Sequence, residues 1–157
     1  MKPSQAAPLH PIFVHFTIGL VGSSFAFDVI GRLWHSISLA DAGWWTLAAS
    51  VPLTVGTVVT GLMSRRRAAV AEGRALQYLR THAALGPLVF GCLILLAFWR
   101  ASYFELGAHP SIAYLIVFAL VVAIMTLQGY LGGELVYAFA VDVKGVHERL
   151  PLVIPEE

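Results

Sequence analysis

Four apolar stretches constrain what this chain can fold into more than any other feature. They cover residues 9–34, 44–63, 81–99 and 111–139, and a helix needs roughly 20 apolar residues to cross a bilayer core. The chain is 58% hydrophobic and 12% charged, whereas soluble domains carry about 25% charged residues. We therefore predict an all-α integral membrane protein, in which residues 1–157 form a single up-down four-helix bundle in the lipid bilayer.

Basic residues predict the orientation of the bundle. If the N-terminus lies inside, the outer segments contain only Arg32 and Arg100, and the other eight Lys and Arg residues lie on the inner side. Cytoplasmic loops usually carry such an excess. The four tryptophans then fall at the outer interface: Trp34, Trp44, Trp45 and Trp99. Both termini are expected in the cytoplasm, and residues 64–80 are expected to form a basic cytoplasmic loop with a short surface helix.

Several function classes receive no support from the sequence. A net charge of +1 gives no reason to expect a nucleic-acid partner. The single cysteine, Cys92, lies inside an apolar stretch and is expected to pack there. The chain has no G-x-S-x-G motif, Cys-His dyad or phosphate-binding loop. An electron-transfer or accessory subunit is therefore favoured over a stand-alone enzyme.

Histidines near the start of the first and third spans are the main candidates for a functional site. The pattern His-x-x-x-Gly occurs at His15–Gly19 and again at His82–Gly86, on spans that run parallel. Histidines on facing helices commonly bind cofactors in helical bundles, and a glycine one turn away leaves room for a flat ligand. We therefore predict haem b, with His15 and His82 as axial ligands and Gly19 and Gly86 beside the porphyrin.

Other interpretations of these histidines stay open. A single transition metal ion is the alternative cofactor, with His10, His15, His82 and Glu134 as its ligands, and a proton-handling site is a related alternative. Because residues five apart on a helix point about 140° apart, His10 and His15 are not expected to face one point. The histidines of a purely structural anchor subunit would only pack or bind backbone groups.

Polar residues elsewhere in the spans are interpreted more simply. Asp28 is expected to pair with Arg32 one turn later, and a proton-relay role is the alternative. His35 and His109 lie in the two outer loops, so they would meet only if both loops fold inward. One haem at most is therefore expected.

Two motifs resemble those of a known family of bacterial membrane proteins, the domain of unknown function 2231 family. The first motif runs from His10 to Leu20, and the second is Gly129-Tyr130-Leu131-Gly132-Gly133-Glu134-Leu135-Val136-Tyr137. The resemblance covers roughly residues 9 to 143. It implies a four-helix domain of the bacterial inner membrane, related to cytochrome b-like bundles and found beside redox modules, so a redox partner subunit or a homo-oligomer is expected. The candidate residues that match the family pattern are His10, His15, Asp28, His82 and Glu134.

Overall fold

The computed structural model describes residues 9–67 and 73–141, with side chains described up to residue 65 in the first range. The described residues form four helices and contain no strand: α1 (Leu9–Leu33), α2 (Ile37–Arg67), α3 (Gly73–Glu105) and α4 (Ile112–Tyr137). All four are long and apolar enough to cross a membrane. The predicted all-helical membrane fold is thus confirmed.

Short polar segments end the helices and set the connections. At the end of α1 the amide of Ser36 donates to the carbonyl of Gly31, and at the end of α3 the amide of Ala108 donates to the carbonyl of Tyr103. A hydrogen bond from the amide of residue i+5 to the carbonyl of residue i is typical of a helix that ends at a residue with left-handed backbone. Ser111 caps the start of α4 by accepting a hydrogen bond from the amide of Tyr114. The α1–α2 and α3–α4 pairs are therefore tight helical hairpins.

The helices are arranged around the bundle axis in chain order. Helix α1 packs against α2 and α4, and α3 packs against the same two helices, so α1 and α3 lie diagonally opposite each other. The apolar core lies mainly between α3 and α4, with single contributions from α1 and α2. Its buried members are Val21, Leu47, Val89, Leu93, Leu96, Tyr114, Phe118, Val121 and Met125.

Large apolar side chains also cover the outside of the bundle. Leu95 and Phe98 on α3 are 71% and 76% exposed, and Leu120 on α4 is 60% exposed. Leaving so much contiguous apolar surface in water would favour aggregation, whereas lipid tails solvate it. The surface therefore fits a bilayer environment.

The helix bounds differ from the sequence prediction near residues 64–80. Helix α2 continues to Arg67 and α3 already begins at Gly73, so the described parts of this segment extend the two spans and do not form a separate surface helix. Residues 68–72, in the middle of the predicted loop, lie outside the described residues, as do residues 1–8 and 142–157. Extending a helix adds one hydrogen bond for each residue fixed, whereas starting a new helix fixes several residues for a single hydrogen bond. Extension of α2 and α3 is therefore favoured over a separate helix.

The glycines differ in whether they allow close helix approach. An added Cβ at Gly129 would meet nothing within 4 Å, so this glycine does not serve helix packing. At Gly56 an added Cβ would lie 2.5 Å from the Phe13 ring, and at Gly31 it would lie 3.0 Å from the amide of Ala40. The tightest packing involving glycine is thus between α1 and α2.

Candidate functional site: histidine pairs at both ends of the bundle

His10 and His82 face each other at one end of the bundle. They come from the first turn of α1 and from the third turn of α3, the two diagonally opposed helices. Their ring centroids are 6.3 Å apart and the ring planes are nearly perpendicular, at 86°. Both residues are half-buried. The structure therefore brings together one histidine from each helical hairpin.

Hydrogen bonds to backbone carbonyls orient both rings. Nδ1 of His10 donates to the carbonyl of Thr57 over 3.0 Å, and Nδ1 of His82 donates to the carbonyl of Gln128 over 2.9 Å. A carbonyl oxygen only accepts, so each Nδ1 must carry a proton, and in a neutral ring the lone pair is then on Nε2. In metal sites a hydrogen bond of this kind, donated by the ring nitrogen that does not bind the metal, normally fixes the orientation of a histidine ligand.

A glycine on the neighbouring helix lies directly against each ring. An added Cβ at Gly61 on α2 would come within 2.9 Å of Cε1 of His10, and one at Gly132 on α4 would come within 3.0 Å of Cε1 of His82. Contacts this short would push the rings aside. Each imidazole is thus seated between a carbonyl and a glycine of the adjacent helix, in the same way in both hairpins.

His15 does not take part in this pair. It is exposed, and its Nδ1 donates to the carbonyl of Pro11 in its own helix, over 2.6 Å. Gly19 is exposed as well, with nothing within 4 Å of an added Cβ. The expected pairing of His15 with His82 is therefore not what the structure shows, because the face of α1 that carries His15 and Gly19 points away from the bundle axis.

The other predicted ligands are not gathered around the histidine pair. Gly86 packs against α4, where an added Cβ would lie 3.2 Å from Nε2 of Gln128. Glu134 is half-buried on α4. Within residues 9–65 and 73–141, no three His, Cys, Asp or Glu side chains are grouped closely enough to bind a metal ion. The four-residue set of His10, His15, His82 and Glu134 is thus not assembled.

An ion pair lies in the interior between α1 and α3. Nε of Arg100 is 3.1 Å from Oδ1 and 3.3 Å from Oδ2 of Asp28, and both side chains are completely buried. Nη2 of Arg100 also donates to the carbonyl of Ala40 on α2. The pairing of Asp28 with Arg32 is therefore wrong, as is the placement of Arg100 in an outer loop.

Arg32 instead reaches across the bundle to the opposite hairpin. Its Nη1 donates to the carbonyl of Pro110 in the α3–α4 connection, over 2.9 Å. Asp28 points into the bundle, where the buried guanidinium of Arg100 neutralises its charge. The ion pair with Arg100 is favoured over a contact between Asp28 and Arg32 on the same helix, because a buried carboxylate needs a partner that neutralises its charge.

A second pair of histidines meets at the other end of the bundle. His35 follows α1, His109 precedes α4, and their ring centroids are also 6.3 Å apart, with an angle of 74° between the planes. Nδ1 of His109 is buried and has no hydrogen-bond partner in the described part of the chain. The two outer connections therefore bring their histidines into contact, although His35 is exposed and His109 is half-buried.

A shift of 72 residues relates the first histidine pair, the ion pair and the residues at which α1 and α3 end. His10 and His82 are 72 residues apart, and so are Asp28 and Arg100. The left-handed residues that end α1 and α3, His35 and Gly107, show the same separation. Equivalent positions of α1 and α3 thus meet at His10 and His82 and again at Asp28 and Arg100. The two His-x-x-x-Gly patterns are 67 residues apart, so they do not follow the shift of 72 that relates α1 to α3. These patterns therefore indicated His15, whereas the shift of 72 could have indicated His10 from the sequence.

Comparisons with known proteins agree with the membrane fold. The family model described as a predicted membrane protein (DUF2231) matches residues 6–145, a range that includes all four helices. No curated protein and no solved structure matches the chain. Because the family match extends over nearly the whole chain and the fold has the expected four apolar helices, the chain belongs to the DUF2231 family of predicted membrane proteins.

Proposed function

We propose that this membrane protein is a small b-type cytochrome or electron-transfer subunit, with His10 and His82 as the axial ligands of one haem. The supporting observation is the pair of facing imidazoles, each with its Nδ1 held by a backbone carbonyl of the neighbouring helix. His15, the ligand favoured by the sequence pattern, is replaced in this proposal by His10.

The spacing of the two rings fits one metal ion bound between them. A metal–nitrogen bond of about 2.0 Å on each side separates two imidazole centroids by roughly 6 Å, and the observed separation is 6.3 Å. The ligands come from diagonally opposite helices, so a planar group between them would lie along the bundle axis, with α2 and α4 at its edges. Gly61 and Gly132 let each ring pack directly against the backbone of the neighbouring helix.

The residues of the chain would position the iron ligands and set their electronic character. The carbonyls of Thr57 and Gln128 fix the orientation of the rings and raise the basicity of Nε2. Partial burial of both rings limits the access of water, which influences the reduction potential. When bound, haem supplies one-electron chemistry.

A visible spectrum of the purified protein tests the proposal. Chain purified in detergent from haem-supplied cells should show a Soret band and a reduced-minus-oxidised difference typical of two axial histidines. His10→Ala and His82→Ala should each lose at least about nine-tenths of the haem. His15→Ala is the matched control, because it removes an exposed histidine from the same helix, and it should keep the spectrum. Wild-type protein without a Soret band after haem supplementation would overturn the proposal.

A single transition metal ion is the alternative ligand for the same pair. Imidazole nitrogens bind zinc, copper and iron well, and the ring spacing suits a bare ion equally. Elemental analysis of haem-free protein distinguishes the two, since a bare ion would be lost from His10→Ala and His82→Ala without any Soret band in the wild type. If the protein is a structural anchor whose histidines only stabilise helix packing, neither a Soret band nor a bound metal ion is expected.

We also propose that the His10 end faces the cytoplasm of a bacterial inner membrane, beside a redox partner subunit or a second copy of the chain. The excess of basic residues in segments at this end supports the orientation. Reporter fusions at the C-terminus and between α3 and α4 test it. A reporter that is active only in the periplasm should stay silent at the first position and be active at the second.

A further inference from the structure

We propose that His35 and His109 form a second metal centre, at the end of the bundle opposite to His10 and His82, in which one nitrogen of each imidazole binds the metal. The two ring centroids are 6.3 Å apart, the same separation as in the first pair. The proposal stands on its own geometry and does not require that the first pair bind haem.

A buried imidazole nitrogen supports a ligand at this position. Nδ1 of His109 is buried, and no hydrogen bond reaches it from the described residues. Buried polar atoms without a partner are rare in folded proteins, and an ion or water that completes the bonding is a usual explanation. At the first pair both Nδ1 atoms are already bonded to carbonyls, so the second pair is the one that lacks a partner.

The backbone of His35 is a second, independent observation. His35 has φ of 52° and lies in the left-handed region, at the position after the helix where glycine is the usual residue. Its counterpart at the end of α3 is Gly107, with φ of 59°. The two hairpins thus end their first helices identically, and only one of them places an imidazole at the strained position. Such strain is often retained where a side chain has a functional role.

The surrounding contacts hold His109 in place before any ligand binds. The next residue, Pro110, is fully buried, and its carbonyl accepts a hydrogen bond from Arg32. The hydroxyl of Tyr103 donates to that of Ser111 over 2.8 Å. The connection between α3 and α4 is therefore anchored on both sides of His109 and tied to the end of α1 that carries His35.

The chemistry of the pair points to a transition metal centre with two neutral nitrogen ligands. Copper, zinc and haem iron all accept imidazole, and no third His, Cys, Asp or Glu side chain joins the pair among the described residues. Copper(I) and haem iron need no further protein ligand in such a site, because copper(I) is stable with two ligands and a porphyrin fills the other positions of iron. About 24 residues of helix separate His35 from His10, which is roughly 35 Å, so the two centres would lie at opposite membrane surfaces.

Metal content measured in the full-length protein tests the proposal. Purified chain is loaded with copper(I) under reducing conditions or, in a second arm, with haem b, and bound metal per chain is determined by elemental analysis and by the haem spectrum. The critical variant is His35→Gly, because glycine retains the left-handed backbone and removes only the imidazole. His109→Ala removes the other ligand. His15→Ala controls for the loss of an exposed histidine.

The expected result is a loss of one bound metal per chain in His35→Gly, the same loss in His109→Ala and no further loss in the double variant. Circular dichroism should show unchanged helix content in His35→Gly. His10→Ala should not change this site, so failure of the first centre and failure of the second are distinguishable. If His35→Gly and His109→Ala bind as much copper and haem as the wild type, the contact is ring packing only and the proposal is overturned.

Discussion

The two ends of the bundle hold the same kind of histidine pair in different ways. At one end His10 and His82 lie within regular helices, and each ring is fixed by a carbonyl and a glycine of the next helix. At the other end His35 and His109 lie outside the helices, and Nδ1 of His109 has no partner in the described residues. The first pair is thus preorganised by helix packing, whereas the second is held by its connections and leaves one buried imidazole nitrogen without a partner in the described residues.

The buried ion pair between the two ends shows how the hairpins are joined. Asp28 comes from α1 and Arg100 from α3, and they occupy equivalent positions 72 residues apart. Opposite charges at equivalent positions attract across the axis, where identical charges would repel. The two hairpins are therefore similar in backbone but complementary in charge near the C-terminal ends of α1 and α3.

The largest effect is expected from breaking this ion pair. Arg100→Leu leaves the carboxylate of Asp28 buried without its partner, and such a loss costs about 3–5 kcal/mol in stability. Thermal unfolding in detergent should show a lower melting temperature, with both histidine pairs disturbed. The double variant Asp28→Leu/Arg100→Leu should recover much of the loss, because no unpaired charge remains. Arg32→Leu, which loses one bond to a carbonyl, should be milder. A double variant less stable than Arg100→Leu would contradict this explanation.

A smaller effect is expected from filling one glycine beside the first pair. Gly132→Ala places a Cβ about 3.0 Å from Cε1 of His82, so the ring must shift away from the carbonyl of Gln128. Overpacking of this kind costs about 1–3 kcal/mol, and binding of haem or metal at the first pair should weaken while the second pair is unaffected. Titration of the purified protein measures this difference.

The neighbouring glycine provides the control for that experiment. Gly129→Ala adds the same methyl group where nothing lies within 4 Å, and alanine favours the helix by about 1 kcal/mol over glycine. This variant should bind as well as the wild type and be no less stable. Equal weakening by both substitutions would show that contact with His82 is not the cause.

The smallest effect is expected from separate substitutions of the left-handed residues that end α1 and α3. Gly107→Ala introduces a Cβ at φ of 59° and should lower stability by about 1 kcal/mol. His35→Gly relieves the same strain at the other hairpin and should raise stability by a few tenths of a kcal/mol in protein without bound metal. Chemical or thermal unfolding of both variants measures the difference. Destabilisation of metal-free protein by His35→Gly would mean that the imidazole already makes a stabilising contact.

The sequence alone determined the four membrane-spanning helices and the family, because span length and apolar composition are properties of contiguous residues. It also singled out His10, His15 and His82 as residues of interest. Which histidine faces His82 depended on helix rotation, and this is decided by how α1 packs on α2 through Gly31 and Gly56. The same packing turned Asp28 towards Arg100 and exposed His15.

The contact between the histidines of the two outer connections was likewise decided only by tertiary structure. The left-handed end of α1, the bond from Arg32 to Pro110 and the capping by Ser111 act together to bring His35 against His109. The bond from Arg32 joins residues distant in sequence, and the left-handed backbone of His35 is uncommon for residues other than glycine, whereas the Ser111 cap is local. A local pattern specifies where a helix lies in the chain, but only the packed bundle specifies which faces meet.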